Sequence, residues 1–459
     1  MLRLIDPKSR RELLRAGTAS IGGLSLSTML RAAESAGTAQ AIRGRSVVVL
    51  NFQGGPTQFE TFDPCMDAPR EIRSITGEIR TSVPGVTFGG SLPLLAGLAD
   101  RMTIVRSYRH GISSHGPAAM HVMAGGNSTG AMMGALYGRV AGLTNEDSGM
   151  PNNVLVTSRA VGDQFGKLYY QPDRVSQHGT LPPAYKPFDP SAGGEIVDNM
   201  KLHVQGSRLD DRRHLLTELD RLKRKQDSSD LLGAADRFQR QAFDVLLGGA
   251  SDAFDLSKES PSVLDRYDTS AFEPTDSVKA RNDYAAMFSP VALGRQLLMA
   301  RRLCEAGCGF VTVTCPGWDM HGGGKEFTMQ DGLASLMPAV DKAVSAFIED
   351  IEQRGLFDRI LLVMTGEFGR TPRINTNGGR DHWGNLCTLA FVGGGLPRGH
   401  VVGQSDKTGS EPATTPISSS QVLATVMHSL FDVGQLRLRT DIPREIERIL
   451  ATGEPINFA

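Results

Sequence analysis

Short runs of β-branched and aliphatic residues, separated by helical stretches, restrict the possible folds of this chain more than any other feature. The runs lie at residues 46–50, 103–105, 154–156, 310–314, 360–364 and 388–392. Continuous apolar runs of this length are typical of strands buried on both faces of a parallel sheet. Residues 291–306 and 332–353 carry apolar residues at helical spacing, and the second stretch leads into the 360–364 run as a βαβ crossover does. The pattern predicts an α/β fold with a doubly wound, mainly parallel sheet flanked by helices, whose ligand site lies beyond the carboxyl ends of the strands.

The first 41 residues have the features of a twin-arginine signal peptide. Arg10 and Arg11 precede a weakly apolar run at 16–30, which is too short and too polar for a good membrane span. Ala39-Gln40-Ala41 follows as a cleavage site of small residues. We expect export by the twin-arginine translocase to the periplasm or the extracellular space, with 42–459 as the mature domain. The alternative is that 1–41 forms a basic amphipathic helix of the folded protein.

The composition is that of an ordinary globular protein. Of 459 residues, 40% are hydrophobic and the formal net charge is -1, so no basic field for nucleic acid is present. The five cysteines form an odd set without a C-x-x-C pair, which argues against a disulfide framework. A charged, leucine-punctuated stretch at 207–249 lacks strand signals, and we expect residues 195–290 to be a mainly helical insertion.

Carboxylates and histidines follow two neighbouring strands of the predicted sheet. Asp319 and His321 come after the 310–314 run, and side chains two residues apart in extended backbone point to the same side. Glu367 follows the 360–364 run, and Asp381 and His382 come soon after it. These oxygen and nitrogen donors predict a site for one or two divalent ions, and they suit zinc, manganese, magnesium or calcium. The alternative is a set of hydrogen-bonded structural His/Asp pairs.

Other residues near these strand ends are candidates for binding or attacking an ester. Arg370 or Arg380 can pair bidentately with a phosphate or sulfate oxyanion. Ser114 and His115 open a predicted helix, and the positive end of a helix favours anions and activates nucleophiles. The alternative for Ser114 is that it only caps the helix.

The sequence resembles a bacterial family, the domain of unknown function family 1501, which belongs to the alkaline-phosphatase-like superfamily together with sulfatases. The residues that carry the resemblance are Gly54-Gly55-Pro56, Thr61-Phe62-Asp63-Pro64, Ala300-Arg301-Arg302-Leu303, Trp318-Asp319-Met320-His321, Gly366-Glu367-Phe368-Gly369-Arg370-Thr371-Pro372 and Gly379-Arg380-Asp381-His382-Trp383. The resemblance implies an alkaline-phosphatase-like domain with metal ligands at Asp319, His321, Glu367 and His382. It also places His115 where sulfatases have their modified cysteine nucleophile.

The chain departs from the superfamily pattern at three places. Asn51 and Gln53 stand at the end of the first strand where the superfamily has an aspartate, and Phe368 stands where it has a histidine ligand. No cysteine, serine or threonine occupies the nucleophile position. The first hypothesis is an exported metal-dependent hydrolase of phosphate or sulfate esters, which takes a small-molecule or polymer ester as substrate. The alternative is a catalytically depleted exported binding or assembly protein that keeps the fold.

Overall fold

The computed structural model describes residues 41–162, 164–165, 174–191, 251–280, 290–323 and 327–458. The predicted signal peptide, apart from Ala41, lies outside the described residues, and so does much of the predicted insertion. Within that insertion, the described stretch 251–280 contains three short helices. The signal peptide and the insertion as a whole therefore stay predictions.

In the described part of the chain, seven strands form one central sheet, and four others form two small hairpins. The strands are β1 (Ser46–Phe52), β2 (Glu78–Arg80), β3 (Thr87–Gly89), β4 (Met102–Val105), β5 (Asn153–Val156), β6 (Phe310–Cys315), β7 (Ile360–Gly366), β8 (Gly369–Arg370), β9 (His382–Trp383), β10 (Leu389–Gly393) and β11 (His400–Val402). The central order is β11-β4-β10-β7-β1-β6-β5, and β1 pairs in parallel with both β6 and β7. The predicted mainly parallel sheet is confirmed.

One strand of the central sheet runs against the others. The 388–392 run was expected to be a parallel strand, but β10 is antiparallel to both β4 and β7. A parallel neighbour needs a crossover connection, usually a helix. The chain between β7 and β10 instead contains the β8–β9 hairpin and loops, so β10 returns in the opposite direction.

Helices cover both faces of the sheet. They are α1 (Pro93–Gly97), α2 (His115–Ala124), α3 (Met133–Ala141), α4 (Ser251–Phe254), α5 (Pro261–Arg266), α6 (Asp276–Lys279), α7 (Leu293–Glu305), α8 (Met329–Gln353), α9 (Ser419–Leu430), α10 (Val433–Leu436) and α11 (Arg444–Thr452). Helices α7 and α8 confirm the predicted helical stretches and pack on one face, whereas α2, α3 and α9 pack on the other. No helix in the described part of the chain has the length and apolar character needed to cross a membrane. All five cysteines are free.

The central strand β1 contributes to both hydrophobic cores. Val48 and Leu50 point into the core beneath α7 and α8, and Val47 and Val49 point into the core beneath α2, α3 and α9. This alternation follows from the two-residue period of a strand. Because β1, β6 and β7 are parallel, their carboxyl ends meet at one edge of the sheet. The loops that carry the predicted site residues start from that edge.

Candidate functional site

His115, at the start of α2, links the loops that follow β6 and β7. Its Nε2 atom lies 3.2 Å from Asp319 Oδ2, and its Nδ1 atom lies 2.5 Å from Glu367 Oε2. Burial lowers the pKa of His115, but the hydrogen bonds to Asp319 and Glu367 outweigh it and raise the pKa to about 9. We therefore describe His115 as an imidazolium held between two carboxylates.

Asp319 lies at the centre of the site. Its Oδ1 atom is 2.8 Å from His321 Nε2, 3.2 Å from His382 Nε2 and 2.8 Å from Arg370 Nη2. Burial raises the pKa of the Asp319 carboxyl, but the close contacts with the three histidines and the charge of Arg370 hold it well below its usual range. Asp319 is therefore an ionised carboxylate with only 7% of its surface exposed.

The partners of the two remaining histidines assign their tautomers. His321 Nδ1 faces Asp381 Oδ1 at 3.1 Å, and His382 Nδ1 faces the carbonyl oxygen of Ser113 at 3.0 Å. Both partners only accept hydrogen bonds, so Nδ1 carries the proton in each neutral ring and Nε2 keeps its lone pair. The two Nε2 atoms lie 2.8 Å apart, and both face Asp319 Oδ1. Three acceptor atoms thus converge, and a bound cation stabilises such an arrangement.

Two overlapping sets of residues offer ligands for an ion. His115, Asp319 and His382 each present one ligand atom within 4.8 Å of the others. His321 shares Asp319 and His382 with that set through the contacts above. We favour Asp319, His321 and His382, because both nitrogens of His115 face carboxylates while His321 has a lone pair directed at the cluster.

Glu367 and Asp381 were predicted as metal ligands, but they contact site histidines rather than the atoms that converge at Asp319 Oδ1. Glu367 is 1% exposed and bonds to His115. The Asp381 side chain is 60% exposed and bonds to Nδ1 of His321, a contact that orients a ligating imidazole and raises its basicity. Asn375, which the sequence analysis missed, donates from Nδ2 to Asp381 Oδ1 at 3.2 Å. An Asn-x-Asn-Gly turn is the signal that marks Asn375 in the sequence.

Arg370 is buried beneath the site, and its donors are already occupied. Its Nε atom donates to Gly55 O at 2.9 Å, Nη1 donates to Arg380 O at 3.0 Å, and Nη2 donates to Trp318 O at 2.8 Å. A further bond joins Nη2 to the carbonyl of Gly54. Arg370 is only 2% exposed, so it connects loops and holds Asp319 in place. Its N–H groups point at protein acceptors, and the binding of a substrate oxyanion by Arg370 stays a prediction.

Arg380 has a similar structural position. It is fully buried and donates to Thr371 O at 3.1 Å, Ile72 O at 2.6 Å and Arg73 O at 3.1 Å. Its guanidinium carbon lies 4.1 Å from the centroid of the Phe59 ring. Its side chain links the site loop to the 72–73 segment, and the binding of an oxyanion by Arg380 stays a prediction.

Ser114 and Phe368 complete the surroundings of the cluster. Ser114 is the N-cap of α2, but its side chain makes no capping hydrogen bond. The Phe368 ring packs against the His115 and His382 rings, with centroid distances of 5.1 and 4.3 Å. Gly55 is needed here because its φ is 88° and a Cβ atom at this position would lie 2.4 Å from the Phe368 ring.

The sheet and the cluster at its carboxyl edge define an α/β protein with a candidate metal centre. The chain belongs to the family described as protein of unknown function (DUF1501), whose sequence profile matches residues 44–437. The predicted family is confirmed. No curated protein sequence matches the chain.

Several solved structures are similar to this chain at low identity. They include a sulfatase from Pseudoalteromonas sp. (12% identity, TM-score 0.35, covering 93% of this chain and 72% of that chain). The phosphonate monoester hydrolase of Silicibacter pomeroyi has 11% identity and a TM-score of 0.31, with 90% of this chain and 78% of that chain covered. That of Agrobacterium radiobacter has 11% identity and a TM-score of 0.35, with 90% and 79% covered. The α/β assignment rests on the sheet described above.

Proposed function

We propose that this protein is an exported, metal-dependent hydrolase of phosphate or sulfate esters, with Asp319, His321 and His382 holding one divalent ion. The observation that supports this most strongly is the convergence of one carboxylate oxygen and two imidazole lone pairs within 3.2 Å. A bound ion would polarise the ester and lower the pKa of an attacking water or hydroxyl. The zinc, manganese, magnesium and calcium alternatives stay open, because this donor set suits several of them.

The other side chains orient this centre. Arg370 fixes the carboxylate of Asp319, and Asp381 fixes the ring of His321. The N-terminus of α2 lies beside the cluster, because its first residue, His115, contacts Asp319. The positive end of a helix attracts the anionic group of an ester. Ser114 and His115 remain our candidates for the nucleophile or base, and His115 would take this role after losing its proton.

Export is the second part of the proposal. Residues 1–41 direct the chain to the twin-arginine translocase and are removed, and residues 42–459 act in the periplasm or outside the cell. Export followed by cleavage is supported by the paired Arg10 and Arg11, the apolar run after them and the cleavage site. The family match begins at residue 44, just after the predicted cleavage site.

Metal content and turnover of the purified chain test the hydrolase proposal together. We expect a bound divalent ion, and turnover of 4-nitrophenyl phosphate or 4-nitrophenyl sulfate that a chelator abolishes. Asp319→Asn and His382→Ala should lose both the ion and the turnover. His400→Ala is the matched control, because His400 lies exposed on β11. Loss of turnover in both site variants with unchanged metal content would contradict the ligand assignment.

A catalytically depleted binding or assembly protein is the second candidate. One observation favours it: Arg370 and Arg380 donate hydrogen bonds mainly to carbonyl oxygens of the protein. A stoichiometric ion without turnover on a broad panel of phosphate and sulfate esters would select this candidate.

A further inference from the structure

We infer that the predicted cleavage bond between Ala41 and Ile42 is a gated processing site, which a signal peptidase can cut only while residues 41–43 are detached from the end of α9. This inference rests on the export part of the proposed function and adds a control over the removal of the signal peptide. The candidate metal centre plays no part in it.

The residues on both sides of the predicted cleavage bond pair with the chain that follows α9. Asp432 N donates to Ala41 O at 2.8 Å, and Ile42 forms an antiparallel bridge with Phe431. Ala41 is fully buried and belongs to the hydrophobic core beneath α2, α3 and α9. The last residue of the predicted signal peptide is therefore part of the folded core.

Arg43 fastens this pairing on the other side of the bond. Its backbone N–H donates to Leu430 O at 2.9 Å, and its Nε atom donates to Phe431 O at 2.9 Å. The last carbonyl groups of a helix have no partner within the helix, and arginine side chains can satisfy them. Arg43 therefore caps the C-terminal end of α9, and detachment of residues 41–43 would break three hydrogen bonds together.

These contacts protect the bond from cleavage. The susceptibility of a bond to proteolysis follows the burial and the hydrogen bonding of the backbone around it. A protease that acts on a locally opened form cuts in proportion to the population of that form. Because the twin-arginine route carries chains that are already folded, the pairing can form before the chain meets the peptidase. Cleavage after Ala41 then requires opening of the pairing between residues 41–43 and 430–432.

The rate at which the full-length precursor is cut, relative to that of a short peptide, measures the gate. A synthetic peptide of residues 31–50 contains the same bond without residues 430–432. With a purified bacterial signal peptidase and mass spectrometry of the products, we expect the folded precursor to be cut after Ala41 at least about tenfold more slowly than the peptide. Equal rates would overturn the inference, and so would rapid cleavage of the precursor at a bond upstream of Ala41.

Two arginine substitutions distinguish the gate from recognition by the peptidase. Arg43→Ala removes the side-chain bond to Phe431 O, so the precursor should be cut about threefold faster or more, with little change for the matching peptide. Arg45→Ala is the matched control, because it removes the same charge near the same bond. In the described part of the chain, Arg45 has no hydrogen bond to residues 430–432. No gain in Arg43→Ala over Arg45→Ala would overturn the gate.

Amide hydrogen exchange measures the same opening without a protease. In the precursor with Arg43→Ala, the amide protons of residue 43 and of Asp432 should exchange faster than in the precursor with Arg45→Ala. An acceleration that extends equally to the amides of β1 would show global unfolding and would contradict a local gate.

The synthetic peptide also separates this inference from the proposed export. A peptide that is cut elsewhere or not at all would overturn the predicted signal peptide, and the inference with it. A peptide cut after Ala41 and a precursor cut equally fast would support the signal peptide and overturn the gate. A peptide cut after Ala41 and a protected precursor would support both.

Discussion

Replacement of Arg370 by methionine should lower the free energy of unfolding by about 3–5 kcal/mol. The side chain is 2% exposed and donates to the carbonyl oxygens of Gly54, Trp318 and Arg380, among others. Each buried acceptor left without a donor costs about 1–3 kcal/mol, and breaking a buried ion pair costs about 3–5 kcal/mol. We expect the total loss in the free energy of unfolding to be close to the cost of breaking the ion pair alone. Asp319 keeps its histidine partners, and the costs of neighbouring contacts are not additive.

Urea unfolding followed by tryptophan fluorescence measures this change. The chain contains two tryptophans: Trp318 lies in the loop after β6, and Trp383 lies in β9. Arg370→Lys should fall between the wild type and Arg370→Met, because lysine keeps the charge but not the planar fork. Arg373→Met is the matched control: Arg373 is 77% exposed, so its replacement should change stability by less than about 0.5 kcal/mol. An Arg370→Met protein as stable as the control would refute the structural role of this guanidinium.

Three further predictions concern the same region. The pKa of His115 is raised to about 9 from 6.5, so its stabilisation of the metal-free protein is fully present below pH 6.5 and lost as the pH rises towards 9. Partial exposure limits the loss to about 1–2 kcal/mol, and urea unfolding at both ends of this range should show that His115→Gln removes the pH dependence. Gly55→Ala should destabilise the fold by about 2 kcal/mol or more in the same assay, because of its positive φ and the approach of Phe368; a stable variant would show that this loop can move. Asp381→Ala should weaken zinc or manganese binding by about 10–100-fold in calorimetry with little change in stability, because the ring of His321 loses the contact that orients it. Unchanged metal affinity would exclude this positioning role of Asp381.

The strands and their ends were predictable from local sequence. Apolar runs such as 360–364 are long enough for one buried strand, and the βαβ pattern determines that parallel strands end at one edge. Asp319 and His382 could be selected as candidates because each follows or approaches such a strand end. The direction of β10 could not be read from its own residues, because an apolar run has the same composition in either orientation.

The amino-acid sequence by itself determined the family, the α/β class and the set of polar residues at one edge of the sheet. The tertiary structure alone decided how their atoms pair. Arg370 donates hydrogen bonds to the carbonyl oxygens of Gly54, Gly55 and Trp318, which are far away from it in the chain. The hydrogen-bond partners of a buried side chain come from loops that approach it only after folding. Its local sequence therefore does not indicate which carbonyl oxygens will surround it.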